Sequence, residues 1–355
     1  ARSSARPRDP CSCSSVQGGT ARPGGPPSTI VNVLRVPGVV SASYAVPLHG
    51  PIPSRTVPSV PPDAPLRLLT VHAHPDDEAS KGAATVACLH AQGVYCVLVC
   101  CTGGEAGDIL NPEMDRPEVR ADLASVREAE LARAAAIIGY DEVAMLGYRD
   151  SGMKESEHNA HPDAFAAADP AEAVGRLVAI IRRVQPQVVV TYPDARGEYD
   201  HPDHVQVHDV TVPAFHAAGD PDRYPEAGAP WQPSKLYYTM WSRARIAGLH
   251  AKFQELGLES PYDEGWFKRP SRDHLITTRV PTAEHWEVGV EALRAHATQI
   301  DPGSRFWFGL PDEVARTIHP FDDYRLEVSH VGGPAEGEVE EDLFAGLREA
   351  STVAE

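Results

Sequence analysis

The sequence predicts an α/β protein: a Rossmann-like, mostly parallel sheet with helices on both faces, a smaller C-terminal α/β part and a disordered N-terminal tail. Three observations carry this. From Leu66 onward, short β-rich runs alternate with amphipathic segments, the pattern of βαβ units. Glycines stop several of the helical segments, as Gly93 and Gly139 do. Before residue 66 the pattern is absent. That stretch holds 13 of the 33 prolines and six arginines against Asp9 and Asp63, a composition that cannot offset the entropy of ordering.

The elements follow in order. Leu66–Ala73 reads as a buried strand, Glu78–Gln92 as a helix and Tyr95–Thr102 as a second strand. Arg120–Ile138 is a long helix and Glu142–Gly147 the third strand. Ala171–Val184 is helical, Gln187–Tyr192 is strand four, and Pro202–Ala218 is a helix with proline at its favoured first position. Then come a strand over Lys235–Trp241, a helix over Arg243–Gly257, a strand near Leu275–Val280 and a helix over Ala283–His296. The division expected is a tail over 1–65, a folded domain over 66–330 and an acidic tail over 331–355. The acidic run of Glu336, Glu338, Glu340, Glu341 and Asp342 reads as solvated.

Composition excludes several classes of function. The chain carries 32 Lys and Arg against 50 Asp and Glu, a net charge of −18. That argues against nucleic acid or an anionic membrane as a partner. No apolar run is long enough to span a bilayer, and no repeat of solenoid length is visible. Cys96, Cys100 and Cys101 fall in a strand-like run and read as buried thiols. Cys11-x-Cys13 has no second pair at zinc-site spacing. A reducing, cytoplasmic setting fits this usage. Gly103-Gly104-x-x-Gly107 lacks the spacing of a dinucleotide loop. Trp266, Phe267, Trp286, Trp307 and Phe308 read first as core.

The chemistry concentrates in two turns. His74-Pro75-Asp76-Asp77-Glu78 follows strand one, and Tyr199-Asp200-His201-Pro202-Asp203-His204 follows strand four. In open α/β sheets ligands bind beyond the carboxyl ends of the strands, so both turns are well placed. Two histidines and an aspartate make a three-ligand site with an open position for water. A carboxylate off the metal would take the water proton, and an imidazole would stabilise the oxyanion. The adjacent Asp76 and Asp77 allow one ligand and one base. His208, a turn beyond His204, reads as packing, and the other histidines as surface or core.

Together these motifs resemble the PIG-L/LmbE-like family of zinc-dependent N-deacetylases and amidases. Thr102-Gly103-Gly104-Glu105, Arg127-Glu128-Ala129-Glu130-Leu131 and Arg149-Asp150-Ser151-Gly152-Met153 are similar to its other motifs. Ala292 to Gln299, Pro230-Trp231 and Ser234 to Tyr238 resemble the branch that acts on mycothiol compounds. Lys81 and the run Gly107 to Pro112 resemble the amidases of that branch rather than its deacetylases. The resemblance covers about residues 66–330.

It implies a hydrolase of a linear C–N amide bond. His74, Asp77 and His204 would hold Zn2+, or Fe2+ or another divalent ion. Asp76 would be the base and then the acid, while His201 and Tyr199 would bind the oxyanion. Asp203 would orient His201. Arg127, Asp150 and Gln299 would bind the sugar and inositol hydroxyls of the substrate or contact the catalytic groups, and Lys81 would contact the cysteinyl side of the substrate. The substrate would be a small thiol–sugar conjugate, cut at the glucosamine–N-acetylcysteine amide. The alternatives are an N-acetylglucosaminyl-inositol deacetylase and a pathway-specific amidase of antibiotic biosynthesis. A homo-oligomer stays open. Where the amidases usually read G-G-Y-P-H-P-D-H, Glu198 and Asp200 add two negative charges beside the turn.

Overall fold

The computed structural model describes residues 65–197 and 199–348, together with the backbone of two short strands, β1 (Ile30–Val31) and β2 (Tyr44–Ala45), which pair antiparallel. The rest of the expected tail, Cys11 and Cys13, and Glu198 lie outside the described residues.

Seven strands form one sheet: β3 (Arg67–His72), β4 (Tyr95–Thr102), β5 (Glu142–Tyr148), β6 (Val188–Thr191), β7 (Lys235–Met240), β8 (Thr278–Pro281) and β9 (Phe321–Ser329). Their order is β5-β4-β3-β6-β7-β9-β8. The first five run parallel, and β9 pairs antiparallel with β7 and β8. The chain steps outward from β3 to β4 and β5, then returns to β6 on the other side of β3. This makes β3/β6 the switch point of the sheet, where the crevice beyond the strand ends receives a ligand.

Residue parity explains the two layers. Leu69, Val71, Val97, Val99 and Val189 point to one face, where α5 (Pro170–Val184) and α6 (Pro202–Gly219) cover them. Leu68, Cys96, Leu98, Val188 and Val190 point to the other, against α2 (Ala83–Ala91), α4 (Leu123–Ile138) and α9 (Trp286–Ala295). Cys96, Cys100 and Cys101 are buried free thiols. Among the described residues no helix is long and apolar enough to cross a membrane.

Three sequence readings are corrected. The helix expected over Glu78–Gln92 is two, α1 (Asp77–Ser80) and α2, broken at Gly82. Gly82 has φ +99, and a Cβ there would stand 2.6 Å from Tyr324 Oη, so only glycine fits. Strand β9 was not expected, because Asp322-Asp323 interrupts its apolar alternation. The folded unit also continues past 330. Glu340 hydrogen-bonds Tyr237 Oη at 3.1 Å and pairs with buried Lys235, and Leu343 and Phe344 are 0% exposed. The acidic run is thus anchored at Glu340.

Candidate metal and catalytic site

Both motif turns meet beyond the carboxyl ends of β3 and β6. Pro202 opens α6, and His201 caps it: its Nδ1 accepts the Asp203 amide at 3.2 Å. That bond leaves the His201 proton on Nε2. Asp203 and His204 then face inward from the first turn, and both are buried.

His74 is held from both sides. Its Nε2 donates to Asp203 Oδ2 at 3.1 Å, with Asp150 Oδ1 at 3.5 Å. Its Nδ1 stands 3.6 Å from Asp77 Oδ2, and His204 Nε2 is 3.4 Å from that same oxygen. A carboxylate on Nε2 fixes the tautomer and aims the other ring nitrogen at a metal. Burial alone would lower His74, but Asp150, Asp203 and Asp77 outweigh it and hold the imidazole well above its ordinary value. Metal binding at Nδ1 therefore competes with a proton. Burial would raise Asp77, but His204, Lys81 and His74 hold it well below the carboxylate range. Burial pushes His204 down toward the neutral form.

Among the described residues, two donor groupings are close enough to hold an ion: His74, Asp77 and His204, or His74, Asp150, His201 and Asp203. The first fits. Asp77 and His204 line a cavity of about 570 Å³, and their donor atoms converge with His74 Nδ1. In the second, His74 Nε2 is already used on Asp203 and Asp150. Asp203, 0% exposed, accepts Ser151 N at 2.9 Å and Ser151 Oγ at 2.5 Å besides His74.

Asp76 occupies φ 115, ψ −24, a conformation costing an L-residue roughly 1–3 kcal/mol. Arg127 holds it there. The guanidinium donates to Asp76 Oδ2 at 3.0 Å, to Pro75 O at 2.5 Å and to Gly104 O at 2.5 Å. Gly104, at φ +68, leaves no room for a Cβ above that guanidinium, which explains the second glycine of the pair after β4. Burial raises the Asp76 carboxyl, Arg127 opposes this, and the net direction is upward.

The other expected site residues divide between the catalytic groups and the cavity. Asp203 contacts His74 through its carboxylate; toward His201 it offers only its backbone N–H. Asp150 is buried on His74 and caps Gly152 N at 2.8 Å, so it does not face the cavity. Arg127, 2% exposed, lies beneath Asp76. Lys81 does line the cavity, and its ammonium pairs with Asp77. Burial would lower that ammonium, but Asp77 outweighs it and holds the lysine above its ordinary value. Gln299 lines the cavity too, fixed through Asp108 O at 3.0 Å. Tyr199, 51% exposed, stands at the mouth with its ring edge-on to His204 at 4.9 Å. Asp200 accepts Gly197 N at 2.7 Å, capping its own loop.

Several contributors carried no motif. Tyr192 stacks on His204 at 4.7 Å and 13°, and its hydroxyl is fixed by Ala73 N and His72 Nδ1 at 3.1 and 3.0 Å. His208 Nδ1 meets Tyr192 O at 3.1 Å, a packing role as expected. Trp241, Trp266, Phe306 and Trp307 pack on one another and line the same cavity. Trp266 and Trp307 thus both pack and line. Apolar spacing alone does not separate those two roles.

Comparison with known proteins gives the family. The model of the PIG-L family, described as GlcNAc-PI de-N-acetylase, matches residues 69–215, a span containing both turns. Mycothiol S-conjugate amidase of Streptomyces coelicolor is 42% identical over 294 residues, 80% of this chain and 98% of that protein. The 1D-myo-inositol 2-acetamido-2-deoxy-alpha-D-glucopyranoside deacetylase 1 of Frankia alni is 42% identical over 292 residues, 78% of this chain and 99% of its own. In fold, the chain is similar to N,N'-diacetylchitobiose deacetylase from Pyrococcus horikoshii. The TM-score is 0.51 at 18% identity, over 74% of this chain and 83% of that one.

Proposed function

The chain belongs to the PIG-L family and is a hydrolase of amide bonds; on that premise we propose that it cleaves the glucosamine–N-acetylcysteine amide of mycothiol S-conjugates. The observation that carries this reading is the aromatic cluster that lines the same cavity of about 570 Å³ as Asp76, Asp77 and His204. An acetyl group needs only a small recess. A cysteine bearing a sulfur-bound adduct needs room and apolar contact, which Trp241, Trp266, Phe306 and Trp307 offer. Identity does not choose between the two activities, since an amidase and a deacetylase are each 42% identical.

His74, Asp77 and His204 would hold the ion. We propose zinc, although Fe2+ or another divalent ion suits the same donors. When bound, the ion supplies a Lewis acid that acidifies water and polarises a carbonyl. Asp76 accepts the proton of the attacking water and returns it to the amine nitrogen as the C–N bond breaks. One water is consumed, and one carboxylic acid and one amine result. His201, with its proton fixed on Nε2, is the donor to the developing oxyanion, and Tyr199 closes over it from the mouth. Lys81 and Gln299 face the bound conjugate.

Deacetylation of an N-acetylglucosaminyl-inositol is the second reading, favoured by relatives of that name at 42% and 40% identity. A mass-spectrometric assay of the zinc-loaded protein separates the two. With a bimane conjugate of mycothiol, we expect an N-acetylcysteinyl-bimane acid and glucosaminyl-inositol. Acetate from the N-acetylglucosaminyl compound, with the conjugate left intact, would replace the amidase reading by the deacetylase one.

A further inference from the structure

We infer that His296, acting through Glu78, is a positioning residue for Asp76, an inference that rests on the reading of Asp76 as general base. Asp76 holds a backbone conformation that its own side chain disfavours (φ 115), so something must fix it. The Glu78 carboxylate does so from below. Its Oε2 accepts the Asp76 amide at 2.9 Å, and its Oε1 accepts His296 Nε2 at 2.5 Å. Both side chains are fully buried, so water cannot stand in for either bond.

His296 closes the C-terminal end of α9, more than 200 residues along the chain from Asp76. The next turn is tied down independently. Thr298 N and Oγ1 donate to the Glu130 carboxylate at 2.9 and 2.6 Å. Glu130 lies on α4 one turn beyond Arg127, whose guanidinium grips Asp76 Oδ2. Two clamps therefore meet on Asp76, one on its amide and one on its carboxylate, and they come from helices that are bonded to each other. His296 does not line the cavity, so its effect passes through Asp76 alone.

A double-substitution cycle tests this on the full, zinc-loaded chain. His296→Ala is expected to lower kcat roughly 10–100-fold, the usual range for a residue that orients a reacting group, with KM and bound zinc unchanged. His296→Gln, which keeps an N–H within reach of Glu78, should recover most of the rate. In an Asp76→Asn background, His296→Ala should cost nothing further, because the group it positions is already gone. Should His296→Ala not fold, His296→Asn, too short to reach Oε1, takes its place. Wild-type kcat in either variant would overturn the inference. So would a loss that multiplies onto that of Asp76→Asn, or one confined to KM or zinc content. If Asp76→Asn itself is fully active, the base assignment fails first, and that outcome is visible on its own.

Discussion

Asp203→Asn isolates the charge behind His74 from the packing around it. The Asp203 carboxylate accepts three bonds, from His74 Nε2, Ser151 N and Ser151 Oγ. An asparagine with its oxygen in place of Oδ2 keeps the first two. Its amide then donates to Ser151 Oγ, a hydroxyl that rotates to accept. The fold should lose no more than about 1 kcal/mol, while His74 loses the negative charge that makes it a strong ligand. Outer partners of metal-bound histidines contribute roughly 10–100-fold in affinity, equivalent to about 1.4–2.8 kcal/mol. Asp203→Ala differs. It leaves three donors without their partner, at about 1–3 kcal/mol for each that water does not rescue, so about 3 kcal/mol or more should be lost. The assay is zinc titration against a chromophoric chelator, paired with urea unfolding of the same samples. Wild-type zinc affinity in Asp203→Asn, or equal stability of the two variants, would refute the reasoning.

Other consequences are open to direct measurement. Gly104→Ala strains a residue at φ +68 and drives a Cβ into the Arg127 guanidinium; kcat should fall at least roughly tenfold in steady-state assays, with zinc retained. Phe344→Ala should cost about 3–5 kcal/mol in urea unfolding, since Phe344 is wholly buried; a change below about 0.5 kcal/mol would return this segment to the solvent. Burial would raise Asp323, but its bonds to His319 and Ser242 outweigh this and hold the carboxyl below its ordinary range. A depressed carboxyl stabilises the fold above its unfolded pKa of about 3.9 and loses that contribution as pH falls through the lower folded value. The stability gap between wild type and Asp323→Asn should therefore be flat above about pH 5 and shrink below about pH 4. A gap that widens on acidification would contradict the assignment.

The placing of the two turns beyond the carboxyl ends of buried strands was legible in the sequence, because a His-Pro-Asp turn directly after a buried strand has one place to go. What sequence could not give is the side of the loop each side chain takes. Arg127 and Asp150 sit in motifs beside the site, yet one lies under Asp76 and the other behind His74. The resemblance implied that Asp203 orients His201, but the cap on α6 uses the Asp203 amide and frees its carboxylate for a residue 129 positions away. Strand β9 was hidden by paired aspartates, and the anchoring of 340–344 by an acidic composition. Both are long-range pairings, with β7 and Tyr237, that no local pattern announces.

The central claim is that ligand and base are separate groups in adjacent turns, and metal counting with turnover on the same samples tests it most directly. Wild-type protein and Asp76→Asn should each hold about one zinc per chain, as a three-ligand site does, with only the wild type cleaving the amide. His204→Ala should lose both zinc and activity. Loss of zinc in Asp76→Asn, or a His204→Ala variant that keeps its ion and still turns over, would contradict the account.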